Sequence, residues 1–344
     1  MRMWREPETS RSLRFGSSEH WASAPYGWPE VGSISPAQLA IMGLHGYAFL
    51  FSGSNDYYER FGEFDASATV DRWEEVLALR QAKMGQHCNF VSLFVPSKAT
   101  CMGDLYPILL PHNETRSSHG MRQRLAGNPA FLFGERLREL SSSTLRDSMH
   151  PWRYADTHWT QRGAVETFNE VLQAFGLEPL NFSRTEVGSP EPISGDLARL
   201  WPGLALLEHT SYRLGMDAPE PTLVFDIASG SSVSSLTGWR VVWSNPDAQV
   251  DASLAIVGNS FCSTGRRNDG IAWWAARTFR TVTMIWSPAI PTDLVPALRP
   301  DYVLFQSVER FLGEVPQDRF TVEETDSRFL AANASGSGVQ AGVP

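Results

Sequence analysis

Residues 253–307 run SLAIVGNSFCSTGRRNDGIAWWAARTFRTVTMIWSPAIPTDLVPALRPDYVLFQS. Three apolar runs of strand length, SLAIVG (253–258), RTVTMIW (280–286) and DYVLFQS (301–307), alternate with two stretches of helical composition, GIAWWAART (270–278) and PTDLVPALR (291–299). Neighbouring parallel strands must be joined by a crossover, usually a helix. This β-α-β-α-β order therefore predicts a layered α/β fold with a mainly parallel central sheet flanked by helices. In such sheets ligands gather at the carboxyl ends of the strands. Ser260, in VGNSFCSTG (257–265), falls just past one of these ends.

The alternation continues upstream. GYAFLFSG (46–53) predicts a strand and turn, CNFVSLFVP (88–96) a strand closed by proline, and PTLVFDI (221–227) a further strand. SATVDRWEEVLALRQAKMG (67–85) predicts a helix that Ser67 or Thr69 can cap, with Val70, Trp73, Val76, Leu77 and Leu79 as its apolar stripe. PAFLFGERLRELSS (129–142) is also expected to be helical. The clearest helix is QRGAVETFNEVLQAFGL (161–177): Val165, Phe168, Val171, Leu172 and Phe175 share one face, and Gly176 is the stop. Residues 1–34 are expected to form a flexible arm, 35–315 the folded domain, and 316–344 a polar extension disordered at its end, AANASGSGVQAGVP (331–344).

Of the 344 residues, 42% are hydrophobic and 19% charged, a globular composition. The net charge of −9 argues against a general nucleic-acid binder, which would carry a basic face. Twelve tryptophans suit core packing, and only weakly hint at sugar stacking. Cys88, Cys101 and Cys262 have neither a disulfide framework's count nor zinc-ligand spacing, so neither metal nor cofactor is expected. The sequence has no apolar run long enough to span a membrane. The N-terminus has basic residues but no following apolar core, so no secretory signal is visible.

A serine hydroxyl attacks only when a histidine takes its proton, and a carboxylate usually orients that histidine. Of eight histidines, His158 has a partner pattern: it lies two residues after Asp156 in RYADTHWTQRGAVETF (153–168), directly before the strong helix. Residues two apart in an extended segment lie on the same side, so Asp156 can hold one ring nitrogen while the other faces a nucleophile. The plainer alternative is that Asp156, Thr157 or Thr160 caps the helix. Asp-x-His before a helix and Gly-x-Ser after a strand together raise the catalytic reading, since triads occur in unrelated chain orders. The main-chain N–H groups of Ser260 and Phe261, helped by a nearby helix N-terminus, are candidates for an oxyanion hole.

These segments resemble the alginate O-acetyltransferase (AlgX/AlgJ-like) family of the SGNH hydrolase superfamily. The resemblance rests on HGYAFLFSGSNDYYERF (45–61), FVSLFVPSKATCMGDLYPILLP (90–111), RYADTHWTQRGAVETFNEVL (153–172), LAIVGNSFCS (254–263) and PDYVLFQSVERFL (300–312), in that order. It spans roughly residues 45–311, and the Asp-x-His-Trp-Thr segment is its most specific part. It implies a three-layer SGNH-like fold. It implies Ser260 as nucleophile, His158 as general base and acid, and Asp156 as orienting carboxylate. The implied chemistry is acetyl transfer through an acetyl-serine onto hydroxyls of a polysaccharide or glycoconjugate. The donor would be supplied through a membrane-bound acyltransferase outside the cytoplasm. With no export signal visible, a cytoplasmic location and a different donor stay open. An acetyl esterase with the same triad, and a non-catalytic carbohydrate-binding protein, are the alternatives.

The residue before the serine is Asn259, where many members of that family carry aspartate. The change is expected to alter the loop's hydrogen bonds without abolishing chemistry. Lys98 is either a substrate contact or a solvated lysine after a proline turn, and Asn55 either an oxyanion or acceptor contact or an ordinary turn residue. Trp159, Asn259 and Phe261 complete the candidate substrate and oxyanion set. Glu309 and Arg310 are expected to form a structural ion pair. Cys262 lacks a histidine beside it in sequence and is not expected to be the nucleophile.

Overall fold

The computed structural model describes residues 27–52, 67–108, 117–143, 149–204, 206–228, 233–263, 265 and 267–334. Strands β1 (Ala40–Met42) and β2 (Ala48–Leu50) form a small antiparallel pair. Strands β3 (Asn89–Val95) and β4 (Phe131–Leu132) belong to the central sheet, whereas β5 (Ser183–Ser194) and β6 (Leu207–Gly215) make a separate antiparallel hairpin. The chain then adds β7 (Thr222–Asp226), β8 (Arg240–Ser244), β9 (Val250–Gly258), β10 (Phe279–Trp286) and β11 (Tyr302–Val308). The central sheet has the order β4-β3-β11-β9-β10-β8-β7. Its first five strands are parallel, and β8 and β7 extend it antiparallel from the β10 side. The segment of 253–307 thus forms the heart of the sheet, with β9 between its two later partners. The chain leaves β3 toward β4 and leaves β9 the opposite way, toward β10. Connections diverging in this manner open a crevice at the carboxyl ends of the strands between them.

Both faces of the sheet are covered, which is why its strands read as continuous apolar runs. The two-residue period divides them: Leu254, Ile256 and Leu304 join one core, Ala255, Val257, Val303 and Phe305 the other. Val165, Phe168, Val171 and Leu172 of the helix Gln161–Ala174 pack into the first core with Trp274 of the helix Ile271–Thr278. Val70, Trp73, Leu77 and Met84 of the helix Ser67–Met84 pack into the second. The result is the expected three-layer arrangement. Trp73, Trp152, Trp159 and Trp274 are wholly buried, so these tryptophans serve packing and offer no sugar a surface. No helix among the described residues is long and apolar enough to cross a membrane.

Several local expectations give way to tertiary pairing. The strand in GYAFLFSG lies outside the central sheet, paired only with β1. In PAFLFGERLRELSS, Phe131 and Leu132 pair with Ser92 and Leu93 of β3, and the helix starts only at Glu135. Edge pairing outweighs the local helical pattern there. The described end of the N-terminal arm is tied down: the Gly32 N–H donates to Met42 O, and the Met42 N–H to Ser33 O. Residues Val322–Ala334, expected within a polar extension, form a helix docked beside β8. Phe329 is buried near Trp239, and Asp326 takes the Arg240 guanidinium at 2.5 Å.

The helix Gln161–Ala174 is coupled to the helix Glu135–Ser143 through Glu170, whose Oε1 accepts the Glu135 N–H at 3.0 Å. Its Oε2 is buried with no partner among the described residues. Burial, and then the charges of Glu135 and Glu139, push the Glu170 carboxyl up to about 7, against the main-chain hydrogen bonds that favour its charged form. A group with a raised folded-state value stabilises fully below its ordinary value and loses that contribution as pH rises through the folded one. Glu170→Gln, which does not titrate, is therefore expected to flatten the decline in stability between pH 5 and pH 8. Urea midpoints at the two pH values should give a wild-type decline exceeding the variant's by roughly 2 kcal/mol.

Candidate active site

Two loops build the site. The first, residues 152–159, is pinched by an antiparallel bridge between Trp152 and Trp159. Trp159 is fully buried and donates its indole N–H to Asp269 O at 2.6 Å, and Arg153 pairs with the Asp269 carboxylate at 2.5 Å. Thr160 takes the N-cap position of the helix that follows but makes no side-chain capping bond; its hydroxyl donates to His150 O. The plain capping reading of the Asp-x-His segment therefore does not describe it.

The second loop follows β9. Gly258 is closely packed: a Cβ there would lie 2.8 Å from Cys262 Sγ and 2.9 Å from Gln306 Oε1 and would displace them. The Asn259 N–H donates to that same Gln306 oxygen at 3.1 Å. Asn259 Oδ1 accepts the Phe261 N–H at 3.2 Å, closing an Asx turn that aspartate would close equally well. Because the oxygen faces Phe261, the Asn259 Nδ2 is left as a donor that aspartate would lack. Beyond the turn, Phe261 packs its ring 4.8 Å from both the His158 and Trp159 rings.

The two loops meet at His158. Its Nδ1 lies 2.6 Å from Asp156 Oδ1, and its Nε2 lies 2.7 Å from Ser260 Oγ. The His158 N–H also donates to Asp156 Oδ1 at 2.9 Å. An ionised carboxylate only accepts, so Nδ1 carries the ring proton and Nε2 offers its lone pair to the serine hydroxyl. Burial would push the Asp156 carboxyl up. The hydrogen bond from the His158 ring, that ring's charge and the His158 amide outweigh burial and hold the carboxyl well below the usual range. The imidazole side chain is 27% exposed, so the site is open to solvent.

The O-acetyltransferase domain of Pseudomonas putida AlgJ superposes with a TM-score of 0.50 at 17% identity, over 84% of this chain and 99% of that one. Bacillus cereus PatB1 gives a TM-score of 0.55 at 13% identity, over 80% and 97%. The structure of PatB1 with a sulfonyl adduct gives 0.50 at 11%, over 78% and 93%. The chain has their fold. It is the three-layer α/β arrangement, with a mostly parallel central sheet, that the sequence predicted. Neither a protein-family model nor the sequence of a curated protein matches the chain.

The other expected site residues separate. Lys98 is 5% exposed and gives its ammonium to three main-chain carbonyls, Ala48 O, Tyr154 O and Asp156 O, at 2.7–3.1 Å. It braces the Asp156 loop and is not a solvated lysine, and it lines a small hollow beside Thr157. Trp159, expected among the substrate contacts, is instead fully buried. The Phe261 N–H is spent on Asn259, and the first amides of the helix Ile271–Thr278 go to Phe261 O and Cys262 O, so neither is open to an oxyanion. The Ser260 N–H has no partner among the described residues. Asn55 lies outside the described residues. Glu309 accepts the Ser97 N–H and the Thr100 hydroxyl instead of pairing with Arg310, whose guanidinium lies 5.6 Å from the Phe261 ring. Arg310 also lines a small hollow with Phe49, Leu50, Ser97, Thr157 and Leu197.

Asp196, a residue the sequence reading missed, accepts both the N–H and the hydroxyl of Thr157. It stands 40 residues from Asp156 in a loop without a recognisable motif, so only folding reveals it. Asp156, His158 and Asp196 form the one metal-capable cluster among the described residues. Both His158 ring nitrogens and the oxygens of both carboxylates already have hydrogen-bonding partners there. Cys262, two residues past the serine, is fully buried, and burial pushes its thiol far above the ordinary value. It is expected to resist iodoacetamide in the folded protein at pH 8 and to react once urea unfolds the chain. Peptide mass spectrometry reads both, and rapid alkylation of Cys262 in the native state would contradict the packed turn.

Proposed function

We propose that the chain is an O-acetyltransferase that carries an acetyl group on Ser260 and delivers it to hydroxyls of a polysaccharide or glycoconjugate. The observation that carries the reading is the continuous hydrogen-bond relay from Asp156 through His158 to Ser260, at 2.6 and 2.7 Å. The acetyl specificity is supported by the fold shared with the O-acetyltransferase domain of AlgJ.

In the first half-reaction the Ser260 hydroxyl gives its proton to His158 Nε2 as Oγ bonds to the acetyl carbonyl carbon. The oxyanion is met by the Ser260 N–H and the Asn259 Nδ2, the two donors of this turn that the fold leaves available. The tetrahedral species collapses, and the donor's leaving group departs with the proton held on Nε2. In the second half an acceptor hydroxyl gives its proton to Nε2 and attacks the acetyl-serine, and His158 returns the proton to Oγ. Asp156 stays ionised throughout and stabilises the imidazolium. The donor, in the manner of the AlgX/AlgJ-like proteins, is a membrane-bound acyltransferase partner.

Water in place of the sugar makes the same site an esterase, and the open imidazole favours that side reaction until an acceptor displaces water. A non-catalytic carbohydrate-binding protein would have no use for the relay.

Ser260→Ala is expected to lower p-nitrophenyl acetate turnover by roughly a thousandfold and to abolish labelling by phenylmethylsulfonyl fluoride. Labelling that persists in the variant overturns the nucleophile. In the wild type, added oligosaccharide is expected to gain acetyl at the expense of free acetate. Acetate as the sole product with every acceptor supports the esterase instead.

A further inference from the structure

The triad loop is clasped by a second segment, residues 195–198, which follows β5. The contacts run both ways. The Asp196 N–H donates to Asp156 Oδ2 at 3.3 Å, while Asp196 Oδ1 accepts the Thr157 N–H at 2.7 Å and its Oδ2 the Thr157 hydroxyl at 2.5 Å. Ala198 N–H donates to Ala155 O at 3.0 Å. Gly195 comes so close that a Cβ there would lie 1.9 Å from Ala155 O and 2.8 Å from Asp156 Cβ, so main chain packs on main chain. Behind it, Leu197, Ala198 and Trp201 are buried with Ala155 and with Ala40, Met42 and Ala48 of the small β1–β2 pair. The segment is anchored, and its carboxylate is held in one orientation.

That orientation brings a second negative charge to the catalytic ring. Asp196 Oδ2 lies 3.7 Å from His158 Nδ1, beside Asp156 Oδ1 at 2.6 Å. We propose that Asp196 is a positioning residue of the triad: it locks the Asp156–Thr157–His158 turn, so that the imidazole stays set between Asp156 Oδ1 and Ser260 Oγ. Its catalytic meaning rests on the acyl-transfer reading, whereas the clasp itself stands on the contacts alone.

The other charges around the ring point the opposite way. Lys98 donates to Asp156 O, the Arg310 guanidinium lies 5.6 Å from the Phe261 ring, and Arg153 belongs to the same loop. Asp269 neutralises Arg153 at 2.5 Å and is shared with Arg267 at 2.8 Å. Holding two carboxylates together has a cost: burial and the charge of Asp156 push the Asp196 carboxyl up. The two Thr157 donors offset it by favouring the ionised form.

The test uses the full chain with Asp196→Asn, Asp196→Ala and Thr157→Val, ester turnover being read as kcat and KM separately. Asp196→Ala, which frees both Thr157 donors, is expected to lower kcat roughly ten- to a hundredfold with KM little changed. Asp196→Asn, which keeps an acceptor for the Thr157 N–H, is expected to recover most of that loss. A folded Asp196→Ala with unchanged kcat overturns the proposal, as does a loss carried by KM. If Asp196→Ala fails to fold, Thr157→Val, which removes the hydroxyl half of the clasp, is expected to show the same loss in kcat, and an unchanged kcat there overturns the proposal. If the wild type turns over no ester, the proposed function fails, while hydrogen exchange of the Thr157 amide, expected to be protected in the wild type and Asp196→Asn and exposed in Asp196→Ala, still judges the clasp.

Discussion

The hydrogen bond between His158 Nε2 and Ser260 Oγ joins two loops 102 residues apart in sequence, and the rest of the site exists to hold its length. The serine is fixed by β9, central in the sheet and hydrogen-bonded to β10 on one side and β11 on the other. The histidine is fixed by a pinched loop ahead of a long buried helix. Phe261 is the wedge between them, touching the imidazole on one edge and Trp159 on another. Beneath, Lys98 ties β2 to the histidine loop, and Gln306 of β11 ties its own strand to the serine turn. A sub-ångström shift in any of these would reach the bond directly, because packed interiors transmit displacement and do not absorb it.

Electrostatics divides the labour among groups that look interchangeable in sequence. Two hydrogen bonds from His158, with the charge of its ring, keep the Asp156 carboxyl charged where burial alone would neutralise it. Cys262, chemically the better nucleophile, is silenced by burial two residues away from the serine. Asn259 keeps the turn that an aspartate would make and exchanges a carboxylate oxygen for an N–H donor beside the serine.

Much of this was legible beforehand. The alternation over 253–307 gave the parallel core because strands buried on both faces are apolar throughout and their connecting helices are not. Asp156, His158 and Ser260 were legible because each sits at a boundary between regular elements, where side chains can leave the core. What escaped was set by contacts distant in sequence. Asp196 has no motif, and its role follows from Gly195 lying against Ala155. Lys98 looked like a surface lysine because nothing local reveals three carbonyls converging from β2 and the histidine loop. Phe131 and Leu132 resembled the start of a helix because the strand beside them is supplied from residues 92–93. The docked helix Val322–Ala334 likewise depends on Trp239 and Arg240, far upstream.

The central claim is that acetyl passes through Ser260. It is tested most directly by quenching the wild-type protein in acid during turnover of an acetyl ester and mapping the modified peptide by mass spectrometry. The expected result is a single acetyl on Ser260 that accumulates with donor alone and disappears as an added oligosaccharide becomes acetylated. Steady turnover with no acetyl-Ser260, or with the acetyl on another residue, would contradict it.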